Sequence, residues 1–153
     1  MNNKWSLEIL WWLITIILTV LIMLPIYTNV GSNYPYYTAN VAFIFVFLTF
    51  TRYIFLLRYA PFSHSDMVKG ILIFIPIPLF FYFIDALYDF QRFLDEEGLV
   101  TILGNLNSEA QFQIAKYIQY EKLFFGSGAI ITLVLFPIRM IVSIWRVRNR
   151  GTV

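Results

Sequence analysis

Four stretches of this chain are too long and too apolar to form the interior of a small soluble domain. Ile9 to Leu24 runs sixteen residues without a charge, and Val41 to Leu57 is rich in Phe and interrupted only by Arg52. Gly70 to Leu87 and Leu123 to Trp145 complete the set. About 20 mostly apolar residues suffice to cross a bilayer as a helix. The expected fold is therefore all-α: an integral membrane four-helix bundle, one polytopic domain over residues 1–153, with spans at about 7–27, 41–57, 70–87 and 123–145.

Composition agrees. The hydrophobic fraction is 59% and the charged fraction 13%, against roughly 45–50% and about 25% for soluble domains. Mean hydropathy is +0.71. Lys4 followed by an apolar run resembles a secretory leader, but no small-x-small cleavage site follows Pro25-Ile26-Tyr27, so the first span is expected to be retained. Cys is absent and His occurs once, which removes disulfides, thiolate metal sites and dithiol redox chemistry.

Charge is distributed unevenly. Residues 85–122 hold seven of the nine acidic residues and three of the eleven basic ones. Lys4, Arg52, Arg58, Lys69, Arg139, Arg146, Arg148 and Arg150 flank the spans on the other side, opposed only by Glu8 and Asp66. By the positive-inside rule this predicts an N-in/C-in topology, both termini cytoplasmic, with residues 28–40 and 85–122 outside. Arg52 lies six residues before Arg58, roughly 9 Å along a helix, so its expected role is to snorkel to the same interface.

The connections carry readable signals. Gly31, Ser32, Asn33 and Pro35 mark a turn, and Tyr34, Tyr36 and Tyr37 suit an aromatic belt at headgroup level. Ser63 and Asp66 have capping-box spacing, as do Ser108 and Gln111. Pro76 and Pro78 predict a kink in the third span. Gly126, Ser127, Gly128 and Ala129 form a small-residue run that would let another helix approach closely.

The acidic segment reads as two helical extensions. Phe83, Leu87, Phe90 and Leu94 share one face, and Asp85, Asp89, Arg92 and Glu96 share another as a candidate charged network. Gly98 can end that helix. On the return, Ala110, Ile114, Tyr117, Ile118 and Glu121 repeat at helical spacing, apolar except for the last. The expectation is that the third and fourth spans extend into an extracytoplasmic helical hairpin. Its tip, Leu99-Val100-Thr101-Ile102-Leu103, is apolar and needs cover. Leu99, Val100, Ile102 and Leu103 are thus candidate contacts either to the outer leaflet or to a partner protein.

Chemistry is harder to find. Gly126-Ser127-Gly128 suggests a serine nucleophile, but His64 is predicted on the opposite side of the membrane, out of reach as a base. Asp85 and Asp89 could share a proton or hold a cation, with Arg92 favouring a structural ion pair. Charges lie near the ends of the spans, leaving dry middles that make a poor pore. No catalytic residue, metal ligand or cofactor is expected. The expected function is that of a non-enzymatic accessory or scaffold subunit of a larger envelope complex. The alternative is a small transporter or channel component moving an ion or small solute. Expected partners are membrane lipids and other membrane protein subunits, with no nucleic acid. The aromatic-rich, Asn-tolerant composition points to a bacterial inner (cytoplasmic) membrane.

Overall fold

The computed structural model describes residues 3–149; Arg150, counted with the basic tail, lies outside the described residues. Six helices carry the fold: α1 (Asn3–Val30), α2 (Tyr37–Leu56), α3 (Asp66–Leu72), α4 (Pro76–Glu96), α5 (Val100–Leu103) and α6 (Ser108–Asn149). Among the described residues there is no strand. Four segments, Lys4–Val30, Tyr37–Tyr59, Asp66–Glu96 and Ser108–Asn149, are long and apolar enough to cross a membrane. At 1.5 Å per residue, the 42 residues of α6 extend about 63 Å, twice the hydrocarbon thickness of about 30 Å. It is the spine of the bundle: α2, α3, α4 and α5 all pack on it, and α2 contributes the largest contact.

Three core layers stack along this spine. At the acidic end Met23, Ile26, Tyr34, Phe90, Leu99, Leu103 and Ile118 enclose one another. The middle layer is Ala39, Phe43, Phe83, Ala129 and Leu133, with Phe43 and Phe83 edge-to-face at 4.8 Å. At the basic end Tyr53, Leu57, Ala60, Phe136 and Met140 pack together, and Phe50 stacks on Phe136 at 4.5 Å. Such ring pairs contribute about 0.5–1.5 kcal/mol beyond the area they bury.

Local chemistry differs from the sequence expectation at several joints. α1 continues through Pro25 to Val30. Gly31, at φ +67°, turns the chain there, so the predicted loop 28–40 shrinks to a 3₁₀ turn at Gly31–Asn33 and three further residues before α2. The third span is broken rather than kinked. α3 stops at Leu72, residues 73–75 form turns, and Pro76 opens α4, where its missing N–H costs nothing. Ser65, rather than Ser63 or Asp66, caps α3: its hydroxyl accepts from the Val68 N–H at 3.4 Å. Asn107, rather than Ser108, caps α6, its Oδ1 accepting from the Ala110 N–H at 2.8 Å. The cap lies two positions after Ser63 in the first case and one before Ser108 in the second, and in each its side-chain oxygen reaches an orphan donor of the first turn.

The tip departs furthest from expectation. Gly98, at φ +73°, ends α4, with its N–H and that of Glu97 both donating to the Phe93 carbonyl at 3.0 Å. The chain then folds back. Leu99 and Leu103 are buried, Ile102 is half-buried, and Val100, at 68% exposure, and Thr101 are open. Their cover comes from the chain itself, chiefly the end of α1 (Met23, Ile26) and Ile118 of α6. The Gln111 side chain pins the short α5 by donating to the Leu103 carbonyl at 3.0 Å. The extensions of α4 and α6 do not stand free either, because α1 packs beside them and Tyr117 donates its hydroxyl to the Ile22 carbonyl at 2.7 Å.

Candidate functional site

The charges that enter the bundle gather at its two ends. At the basic end, α1 contributes Glu8 and α2 contributes Arg52 and Tyr53. Arg52 does not snorkel. Its side chain and that of Glu8 are each 8% exposed, and the guanidinium engages the carboxylate through both terminal nitrogens. Tyr53 donates to the same carboxylate at 2.5 Å and Trp12 Nε1 at 3.0 Å. The guanidinium also lies 4.8 Å from the Tyr53 ring and 5.6 Å from the Trp11 ring. A buried ion pair is tolerated when its remaining valences are filled in this way, and this one fastens α1 to α2. Nearby, Lys69 is fully buried and pairs at 3.3 Å with Asp66, one turn earlier.

At the acidic end a second cluster is less complete. Asn40 of α2 donates to Glu121 of α6 at 2.7 Å, and both are buried. Lys122, with no exposed surface, holds its ammonium 3.9 Å from the Tyr36 ring centre and 4.1 Å from that of Phe90. This is a cation between two aromatic faces, a geometry that replaces part of the lost hydration. Four polar atoms here, Tyr34 Oη, Asn40 Oδ1, Glu121 Oε1 and Lys122 Nζ, make no hydrogen bond among the described residues. Buried polar groups are nearly always partnered, so four together make this the least satisfied polar cluster among the described residues. Burial pushes the Tyr34 phenol well above its ordinary range, and the neighbouring Glu121 carboxylate pushes the same way, so Tyr34 stays neutral. Tyr36 is raised too, first by burial and then by Asp89 and Glu97.

The tyrosines expected at headgroup level thus form a lid over this cluster. Tyr34 meets Tyr37 edge-to-face at 5.1 Å, Tyr36 meets Phe90 at 5.3 Å, and Tyr37 donates to the Gly31 carbonyl at 2.6 Å.

The residues singled out from sequence are placed as follows. Asp89 and Arg92 pair at 3.3 Å on the surface of α4, while Asp85 and Glu96 are exposed on the same helix. A hollow of about 210 Å³ is lined by Tyr36, Asp89, Arg92, Phe93, Glu96 and Glu97. Of the small-residue run, Gly126 and Ala129 are buried and Ser127 is exposed, its hydroxyl donating to the Leu123 carbonyl at 2.6 Å. The helices that exploit the run are this chain's own α4 and α2: a Cβ on Gly126 would come within 3.1 Å of Leu87 and 3.6 Å of Phe43, and one on Gly128 within 2.7 Å of Phe47. Leu99 and Leu103 belong to the core, which leaves Val100 and part of Ile102 for any outside contact.

Glu8, Asn40, Tyr53, Lys69, Glu121 and Lys122 were not singled out, yet two had a signal. Glu121 falls on the same helical face as Ile114, Tyr117 and Ile118, which is the buried face. Arg52 interrupts an apolar span, and a carboxylate one helix away at the same end, Glu8, is its natural partner. Compared with protein-family models, with curated proteins and with solved structures, the chain shows no significant match.

Proposed function

We propose that this chain is a non-enzymatic accessory or scaffold subunit of a larger complex in a bacterial inner membrane. In this reading both termini face the cytoplasm, and the acidic end, with the α4–α6 extensions and the α5 tip, faces outside. The observation that carries the proposal is the separation of the two charged clusters. Asn40 and Arg52 lie on the same helix, twelve residues or about 18 Å apart. Between them the bundle is filled by Phe43, Phe83, Ala129 and Leu133. The buried hydroxyls of Thr19 and Thr132 in this stretch donate to their own helix carbonyls, so an ion or polar solute crossing that layer would meet no charged group to replace its hydration, at a cost of several kcal/mol. The clusters therefore fix helices rather than pass cargo, and the basic flanks and aromatic-rich composition support the orientation and the membrane. The test is extraction of native membranes in a mild detergent. A stoichiometric partner that co-purifies with wild-type chain and crosslinks to it in intact membranes supports the proposal. A homogeneous single-chain species, with no crosslinked adduct, refutes it.

A second reading is favoured by the four unpartnered polar atoms around Glu121 and Lys122: a small transporter component that binds its ion or solute there. Flux into proteoliposomes that disappears in Glu121→Gln selects this reading over scaffolding. Absence of flux above empty vesicles removes it.

A further inference from the structure

The basic end contains a cavity of about 520 Å³ between the close of α2, the 3₁₀ turn Pro61–His64 and the last turns of α6. Arg58, Ser63, His64, Arg139, Ser143 and Arg146 line it. Arg139 is anchored by its Nε, which donates to the Ile54 carbonyl at 2.9 Å, near the end of α2. That bond orients the guanidinium while using only one of its five N–H donors. Lys4 stands at the rim, its ammonium 2.7 Å from His64 Nε2 and 3.2 Å from Ser63 Oγ. An imidazole that accepts at Nε2 carries its proton on Nδ1 and is a donor there.

Every ion pair among the described residues lies elsewhere: Glu8–Arg52, Asp66–Lys69 and Asp89–Arg92. Arg58, Arg139 and Arg146 thus converge on one cavity with two hydroxyls, and no described carboxylate pairs with them. The positive-inside rule requires basic residues at this end, but it does not require them to surround a common cavity. Like charges that line one cavity repel one another where solvent does not screen them, and an oxyanion relieves that repulsion while accepting their N–H donors. The cavity is walled by Leu57 and by Val147, the latter 54% exposed, so a ligand with an apolar tail would find its tail beside apolar surface.

We propose that this cavity binds a phosphate-type oxyanion, supplied by the headgroup of an anionic phospholipid. The proposal does not depend on the accessory-subunit reading. The experiment uses full-length protein in nanodiscs and in detergent, with native mass spectrometry counting retained lipid. Phosphatidylglycerol is expected to be retained over phosphatidylcholine at equal concentration. Arg58→Gln and Arg146→Gln, both at exposed positions, are each expected to weaken that preference roughly tenfold, as loss of one charge-assisted contact implies. Arg148→Gln, on the same helix but outside the cavity, is expected to leave it unchanged. Retention that withstands millimolar inorganic phosphate assigns the lipid headgroup. Loss of retention to phosphate, with phosphate itself raising the melting temperature of wild type but not of Arg58→Gln, assigns the free anion to the same site. Equal retention of the two lipids with no phosphate effect overturns the proposal, as does an Arg148→Gln loss as large as the other two.

Discussion

Removing the carboxylate of Glu8 leaves the Arg52 guanidinium inside the bundle without its counter-ion. Its side chain is 8% exposed, so water does not replace the lost partner. Breaking a buried pair from one side costs about 3–5 kcal/mol. The Tyr53 hydroxyl and Trp12 Nε1 also lose their acceptor, at about 1 kcal/mol each within a membrane bundle. Glu8→Leu is therefore expected to destabilise by about 5–7 kcal/mol, and Arg52→Met, which leaves those two donors their acceptor, by about 3–5 kcal/mol. The double variant removes both charges and keeps the volume, so its cost is expected to fall to about 1–2 kcal/mol. Reversible unfolding in mixed micelles, followed by the chain's intrinsic fluorescence, gives all three values and hence the coupling between the sites. A coupling below about 0.5 kcal/mol, the range of exposed pairs, would mean that Arg52 is solvated at the interface, and the account of α1 anchoring would fall with it.

Three further outcomes follow from the packing. Leu103→Ala is expected to cost about 2–5 kcal/mol because the residue is 2% exposed, whereas Val100→Ala stays within about 0.5 kcal/mol; equal effects in a thermal-shift assay would show the tip to be open. Gly128→Ala places a methyl 2.7 Å from Phe47 and is expected to lower stability by about 1–3 kcal/mol. Gly70→Ala meets nothing within 4 Å and should raise it by up to about 1 kcal/mol, a contrast the same assay resolves. Asn107→Ala is expected to lose about 1 kcal/mol of helix capping while Ser108→Ala loses little; the reverse order would return the cap to Ser108.

Helix content was legible because it rests on local signals: long apolar runs, Gly31 and Gly98 at turns, and the face shared by Phe83, Leu87, Phe90 and Leu94. What was not legible depends on contacts between segments far apart in the chain. Glu8 and Arg52 are separated by 44 positions, and Asn40 and Glu121 by 81. Counting charge by flank assigns Glu8, Lys69, Glu121 and Lys122 to a side of the membrane and no more, because the count has no term for a charge that finds a buried partner. The tip misled for a related reason. Leu99 to Leu103 is apolar enough to require cover, and the sequence does not announce that α1 is long enough to provide it. The capping shifts, two residues to Ser65 and one to Asn107, reflect several adjacent side chains that can all act as caps.

Single-cysteine labelling in sealed membrane vesicles of known orientation tests most directly whether the basic and acidic ends of the bundle face opposite aqueous phases. The chain has no cysteine of its own, so Thr101→Cys and Arg148→Cys, both at exposed positions, report without background. An impermeant maleimide is expected to label the two from opposite sides, Arg148→Cys from the cytoplasmic face and Thr101→Cys from the other. Labelling of both from the same face would contradict it.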